Sequence, residues 1–505
     1  MIKPHQILLF LLSLFAAITL LYFVSPQDKI TIGELTLKLP DPTKPFLPDS
    51  NAVKKANVDS LLLKLKEDSI RLAEKRKQDS ILFVQKQRKD SLLKDSLQKV
   101  NTATLSFTYE NRTDNKRLQY ADNKRKALQT FFESLYQLKY NKNTKFHALH
   151  YGDSQIEGER ITAFVRHRLQ KEFGGRGPGL YSPVPLANSL SMKIVFSDQW
   201  KRYALYGNQK DKPEHNRYGI LASFAQYQLH DPLDSTEFAW IEFEPNKIAY
   251  STSKEFSNFT LYYGMAQPNT YLHLSVDDEQ KKKVLLEENT LGSAFKYKLN
   301  QTPEKMKIAF NAPVSPELYA VSFESNTGVY VDNIPMRGSS GTIFSKMNHS
   351  LMKNIYDDLN VKLLIMEYGG NTIPYIKDSA QAYQYGRWFS SQLRKLKKIL
   401  PDVSIIVIGP GDMSTKVDGE LQTYPLLEVV RDAMKKAAFE NDAAFFDMYE
   451  VMGGKNAMIS WVEAEPPLAA TDYIHFSGKG AKIIAEYFYQ SLIEDYYEYE
   501  SKRNK

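Results

Sequence analysis

The spacing of hydrophobic and polar positions changes several times along the chain, and each change marks a boundary between expected parts. Ile7 to Val24 is an almost unbroken apolar run of eighteen residues, preceded by Lys3 and His5, and is long enough to span a bilayer. The basic start predicts an orientation with the amino terminus inside and the rest of the chain outside. A retained anchor and a cleaved signal peptide are the two readings of residues 1–27. The run ends Phe23-Val24-Ser25-Pro26 with no small-x-small site, which favours the anchor. Residues 28–50 carry Pro40, Pro42, Pro45 and Pro48 and read as a semi-rigid linker.

From 51 to 100 the pattern is helical, without Gly or Pro and rich in Lys, Leu, Gln, Asp and Ser. Asp-Ser followed by Ile or Leu recurs at Asp68, Asp79 and Asp90, and a coiled coil built on that eleven-residue step would supercoil right-handed. A solvated stalk is expected here, either a bland helix or one that self-associates. Fully helical, it would reach about 75 Å.

Helical spacing returns at Lys126 to Tyr136, and Phe146 to Tyr151 reads as a buried strand. Between about Ala187 and Val331 the pattern alternates in short runs, among them Phe238 to Phe243, Thr260 to Tyr263, Tyr271 to Leu274 and Leu318 to Phe323, as in a β-sandwich. Afterwards Leu363 to Met366, Ser404 to Gly409 and Ala443 to Phe446 read as parallel strands separated by helices, with a last helix from Gly478 to about Tyr496. The expected organisation is an α/β domain in two pieces, 120–186 and 332–498, interrupted by a β-rich module over 187–331.

Composition and charge narrow the setting. A chain of 505 residues, 42% hydrophobic, can bury more than one core. The absence of cysteine excludes a lipobox with its acylated cysteine, and structural disulfides. Residues 51–100 contain thirteen Lys and Arg against seven Asp and Glu, which is nearly all of the formal net charge of +7. The globular remainder is almost neutral, which argues against a nucleic-acid-binding domain.

The candidate chemistry lies at the seams of the α/β part. Gly152-Asp153-Ser154-Gln155 follows the first strand, and Asp472-Tyr473-Ile474-His475 precedes the last helix. A serine nucleophile needs a base, a group that orients the base, and donors for the oxyanion. His475 would deprotonate Ser154, and Asp472 would fix the imidazole tautomer. The competing readings are a simple turn at Gly152 to Ser154 and a helix cap at Ser477. Asp153 is expected to tie down the turn rather than react. No metal or organic cofactor is required.

The ordered blocks resemble those of the SGNH (GDSL) hydrolases: Gly152-Asp153-Ser154-Gln155, Arg337-Gly338-Ser339-Ser340-Gly341-Thr342, Tyr368-Gly369-Gly370-Asn371 and Asp472-Tyr473-Ile474-His475. The resemblance implies a three-layer, flavodoxin-like parallel sheet. It also implies an oxyanion hole made by the Ser154 N–H, the Gly341 N–H, preferred over Gly338, and the Asn371 side-chain amide. A closer resemblance, to envelope O-acetylpeptidoglycan esterases and polysaccharide O-acetyltransferase-like proteins, is carried by three stretches. They are Gly152 to Arg160 with Arg166 to Gln170, then Phe173-Gly174-Gly175-Arg176-Gly177-Pro178-Gly179-Leu180, and Met452-Gly453-Gly454 with Trp461. It implies an inserted carbohydrate-binding-like module, an O-acetylated glycan as substrate and a bacterial envelope location. The catalytic part would be periplasmic, anchored in the inner membrane. Removal of O-acetyl groups through an acyl-serine is the first expectation. Transfer of the acetyl group, with a membrane-bound O-acyltransferase as partner, and a non-catalytic glycan-binding spacer are the alternatives.

Other residues have plainer expectations. His147 and His150 lie three apart on a strand and should face opposite sides, unlike a metal-binding pair. Glu157 and Glu159, beside Arg160, either line the cleft or form a solvated first helical turn, the second being favoured. Gly174 to Gly179 reads as a tight loop, without the ending of a phosphate loop. Trp200, Tyr262 and Tyr263 are either sugar platforms or core.

Overall fold

The computed structural model describes residues 29–32, 35–38, 58, 62–68, 70, 71, 74, 117–121, 125–141, 143–208, 212–289 and 291–504. It divides into two units, Met1–Lys54 and Lys55–Lys505. In the first, Lys29–Ile32 and Leu35–Lys38 pair as an antiparallel hairpin within the segment expected to be linker. The expected membrane span, the proline positions and most of the stalk lie outside the described residues. Among the described residues, no helix is long and apolar enough to cross a membrane.

The second unit is built around five parallel strands in the spatial order Gly328–Pro335, Lys145–Gly152, Val361–Glu367, Ser404–Ile408, Ala444–Phe446. Numbered along the chain this is 2-1-3-4-5, the order of a flavodoxin-like sheet. Alternate residues of each strand serve opposite layers. Phe146, Ala148, Leu363, Ile365, Ile406 and Ile408 pack under helices Gln129–Asn141, Thr162–Phe173 and Gly478–Arg503. Leu149, Tyr151, Leu364, Met366, Ile405 and Val407 pack under helices His349–Leu359, Ser379–Ile399 and Leu427–Glu440. Strands covered on both faces must be apolar at consecutive positions, which is why they appear in the sequence as unbroken runs.

Gly328–Pro335 differs from expectation. Its first residues fall within the stretch read as insert, yet it pairs in register with Lys145–Gly152 from end to end. The antiparallel strands between these two form a sandwich. One sheet has the order Glu279–Leu285, Tyr271–Val276, Met306–Phe310, Ala239–Pro245, Met192–Phe196. The other has Ser293–Lys298, Asn258–Gly264, Glu317–Glu324, Ser223–Tyr227, Trp200–Ala204, with Gly179–Tyr181 also pairing to Glu317–Glu324. Ile241, Phe243, Leu272 and Ile308 meet Phe259, Leu261, Val321 and Phe323 between the sheets. The second sheet is buried on its outer face too, where Tyr262, Tyr319 and Ala320 join Leu351 and Tyr356 of the α/β part.

Trp200, Tyr262 and Tyr263 are all buried, which removes them as sugar platforms. Trp200 packs edge-on against Tyr227 and donates its indole N–H to the Trp240 carbonyl at 3.1 Å. Tyr262 donates to Asp358 at 2.8 Å, and Tyr263 accepts the Glu287 N–H at 3.1 Å. Core packing wins because each ring finds both apolar neighbours and a partner for its polar tip.

The described piece of the expected stalk, within residues 58–74, is helical but not wholly solvated. Val58 and Leu65 are buried in the same core as Ile483 of the last helix. The Leu65 carbonyl accepts from the Gln490 side chain at 3.2 Å. Val58 and Leu65, spaced seven apart on one helical face, find an apolar partner in that helix, while Leu62, Leu63 and Ile70 remain exposed.

Candidate active site

In a sheet of this order, loops from neighbouring strands diverge at the carboxyl ends of the first and third strands and leave a crevice between them. Ser154 follows the first strand and Asn371 the third. Gly152 ends the first strand where a Cβ would sit 2.9 Å from the Ile156 side chain and 3.2 Å from the Glu367 carbonyl, so any larger residue would crowd both. The chain then makes a 3₁₀ turn, Ser154–Glu159, capped by Asp153, which accepts the Gln155 N–H at 2.9 Å.

The structure brings the three expected catalytic residues together. Ser154 Oγ lies 2.9 Å from His475 Nε2, and His475 Nδ1 lies 2.7 Å from Asp472 Oδ2. A carboxylate can only accept, so Nδ1 carries the hydrogen and the Nε2 lone pair faces the Ser154 hydroxyl. The other Asp472 oxygen accepts the N–H groups of Ile474 at 2.9 Å and His475 at 3.0 Å. Burial pushes the Asp472 carboxyl up, but the His475 N–H, the imidazole and the Ile474 N–H outweigh it and hold it below the usual range. Ser477 also caps the last helix, accepting from Gly480 at 3.2 Å, so the helix-cap reading holds alongside the triad.

Two residues without an expected role fasten the serine turn to the histidine loop. Gln155 donates to the Ile474 carbonyl at 2.9 Å and accepts the Phe476 N–H at 3.2 Å. Arg160 donates to the carbonyls of Ser154 at 2.8 Å, Glu157 at 2.9 Å and Phe476 at 3.4 Å. Five hydrogen bonds thus fix the serine turn and its distance from the base. The position after the serine carried the signal in the sequence, since an amide there can both donate and accept.

Asn371 lines the same cleft as Ser154 and His475. Its side-chain amide donates to Asp153 Oδ2 at 3.0 Å and to the Ser339 carbonyl at 3.3 Å. Asp153 is buried, and burial, with help from Glu367, raises its carboxyl to about 7 against the pull of its hydrogen bonds. Gly341 is not brought to the cleft. Its N–H donates to Ser339 Oγ at 3.2 Å, and its α-carbon packs where a Cβ would meet the Tyr368 ring at 2.6 Å. Gly338 is exposed, at φ +78°, two residues after Met336 bonds the Gly152 carbonyl at 2.7 Å.

Glu159 overturns its expectation. It is 2% exposed and pairs with the fully buried Arg166 at 2.7 Å, while also accepting from Tyr181, Ser189 and the Ser191 N–H. Glu157 pairs with Arg337 at 2.7 Å. A positive φ at Gly158, 69°, turns the chain so that these neighbours face different surroundings. His147 bonds Asp332 at 2.6 Å, whereas His150 lies between Thr162 at 2.9 Å and Glu367 at 3.0 Å. The two histidines have separate partners, and no group of His, Asp or Glu arranged to hold a metal ion is found among the described residues. The glycine loop packs against Gly328 and Val329 rather than in the cleft. Trp461 donates to the Met452 carbonyl at 3.0 Å, joining the two parts of the last resemblance-bearing stretch.

No protein-family model matches the sequence, and no curated protein does. Among solved structures, the chain is similar to one described as a peptidoglycan O-acetylesterase in action. The TM-score is 0.58 and the identity 20%, over 73% of this chain and 96% of that one. It also matches a salicylyl-acyltransferase from a tetracycline biosynthetic pathway (TM-score 0.24, 11% identity, 60% of this chain and 97% of that one). An acetyl xylan esterase matches as well (TM-score 0.25, 13% identity, 32% of this chain and 81% of that one). Those two scores add no weight. The fold shared with the first, together with the ordered Ser154, Asn371, Asp472 and His475 blocks, shows that this chain resembles the SGNH hydrolases.

Proposed function

We propose that the protein is a serine esterase that removes O-acetyl groups from a glycan, peptidoglycan among the candidates, through an acetyl-serine intermediate. The observation that carries this reading is the Ser154, His475, Asp472 chain of hydrogen bonds at 2.9 and 2.7 Å in an open cleft. His475 takes the Ser154 proton as Oγ attacks the acetyl carbonyl, then returns it to the leaving sugar oxygen. Water, deprotonated by the same imidazole, releases acetate. The Ser154 N–H supplies one oxyanion donor, and Asn371 a second once its amide exchanges the longer of its two bonds, to the Ser339 carbonyl, for the oxyanion. With the Gly341 N–H bonded to Ser339 Oγ, the Gly338 N–H is the alternative third donor. The apolar run at Ile7 to Val24 supports an envelope protein tethered to the membrane, with the site on the outer side.

The test is acetate release from O-acetylated peptidoglycan by wild type and Ser154→Ala, with and without a deacetylated oligosaccharide. Ser154-dependent acetate release insensitive to the acceptor supports the esterase. Acetylated acceptor reassigns the protein as a transferase. No acetyl turnover in either arm rejects both.

A further inference from the structure

A second pocket lies on the far side of the serine turn. Glu157, Gly158 and Glu159 line it, as do Asn333, Ile334 and Pro335 at the end of the strand beside the one that precedes Ser154. Its other wall comes from the sandwich, through Arg202, Tyr206, Leu221 and Ser223. Glu157 is three positions after Ser154, so the rim lies within about 11 Å of the nucleophile along the backbone.

The chemistry of this pocket is unbalanced. Arg202 and Ser223 stand on adjacent antiparallel strands, with Arg202 opposite Ala225 and Ser223 opposite Ala204. Arg202 forms no ion pair with a carboxylate among the described residues: its guanidinium donates to Tyr206 Oη and lies 5.2 Å from that ring. Its Nε–H is shielded from solvent and has no acceptor, and the hydroxyl of Ser223, 1% exposed, has no partner either. Buried donors left unmatched are uncommon and mark a missing acceptor. The two carboxylates that line the pocket cannot supply it, because Glu157 is held by Arg337 and Glu159 by Arg166. With those pairs matched, one positive charge remains. Tyr206 donates to the Pro335 carbonyl at 3.1 Å and ties this wall to the catalytic sheet.

We propose that this pocket binds a carboxylate carried by the glycan, with Arg202 as its cationic partner and Ser223 as a second donor. The site would thereby select acidic glycans over neutral ones. The proposal rests on the esterase reading only for the polymer's identity as substrate. An arginine beside a hydroxyl suits a carboxylate better than a sugar hydroxyl, since a charge-assisted bond is roughly twice as strong as a neutral one.

Lactyl ethers and uronic acids both present such a carboxylate, and the test separates them. Binding to full-length Ser154→Ala is measured by calorimetry for N-acetylmuramic acid against N-acetylglucosamine, and for galacturonic acid against galactose. In at least one pair the acid binds about tenfold tighter than its neutral counterpart, and Arg202→Gln abolishes that preference. Ser223→Ala, the smaller change, reduces it partially. Equal binding within both pairs, no binding of either acid, or a preference that survives Arg202→Gln in folded protein overturns the proposal. Absence of Ser154-dependent acetate release from wild type would sink the esterase reading and leave this measurement standing.

Discussion

Asn371 donates its side-chain amide to the buried carboxyl of Asp153 at 3.0 Å, so the expected oxyanion donor is oriented by the residue that precedes the nucleophile. That same carboxyl is raised to about 7, chiefly by burial. The folded protein keeps a proton that the unfolded chain releases near pH 4, so rising pH between about 4 and 7 favours unfolding. The cost is absent below that window and complete above it. Asp153→Asn cannot titrate. Wild type is therefore expected to lose more stability than Asp153→Asn between pH 4 and 8, read from urea unfolding, and parallel pH curves would refute the assignment.

Asp472→Asn should lower kcat by about a hundredfold or more, through loss of the tautomer that points the Nε2 lone pair at Ser154. Asp472 is 47% exposed on its side chain, so the melting temperature should hardly move. A large drop in stability with unchanged kcat would make the residue structural.

Gln155→Ala removes both bonds to the histidine loop. Each is worth about 1 kcal/mol in stability, but slackening the distance from nucleophile to base should lower kcat by roughly ten- to a hundredfold. Steady-state kinetics with a small acetyl ester checks this, and an unchanged kcat would show that the clamp is dispensable.

Glu159→Gln leaves the fully buried Arg166 without its carboxylate. The expected loss is about 3 to 5 kcal/mol of unfolding free energy. Denaturant titration with a loss below 1 kcal/mol would mean that the other partners of Arg166, Val331 O and the hydroxyls of Ser191 and Ser253, suffice.

Much of the α/β part was legible because strands buried on both faces cannot hide: Leu363 to Met366 and Ser404 to Ile408 are apolar at nearly every position. Gly328–Pro335 carries Tyr330, Asp332 and Asn333, whose polar atoms are satisfied by Ser325, His147 and Thr162, so it resembled one more strand of the insert. Ser154, Asp472 and His475 were readable because each sits at a strand or helix seam with local turn chemistry. Gly341 was misplaced because the direction of a backbone N–H in a loop leaves no mark in the sequence. Glu159 was misread for a related reason. A charged pair next to an arginine looks solvated until Gly158 turns one member inward against Arg166, seven residues along.

Ser154 is expected to become acetylated during turnover. Rapid acid quenching of the protein with an O-acetylated glycan, followed by mass mapping of the peptide containing Ser154, tests it directly. An acetyl group should appear on Ser154 in the quenched sample and be absent in Ser154→Ala, which should release no acetate. Acetate release at wild-type rate from Ser154→Ala, with no acetyl group on the wild-type serine, would contradict it.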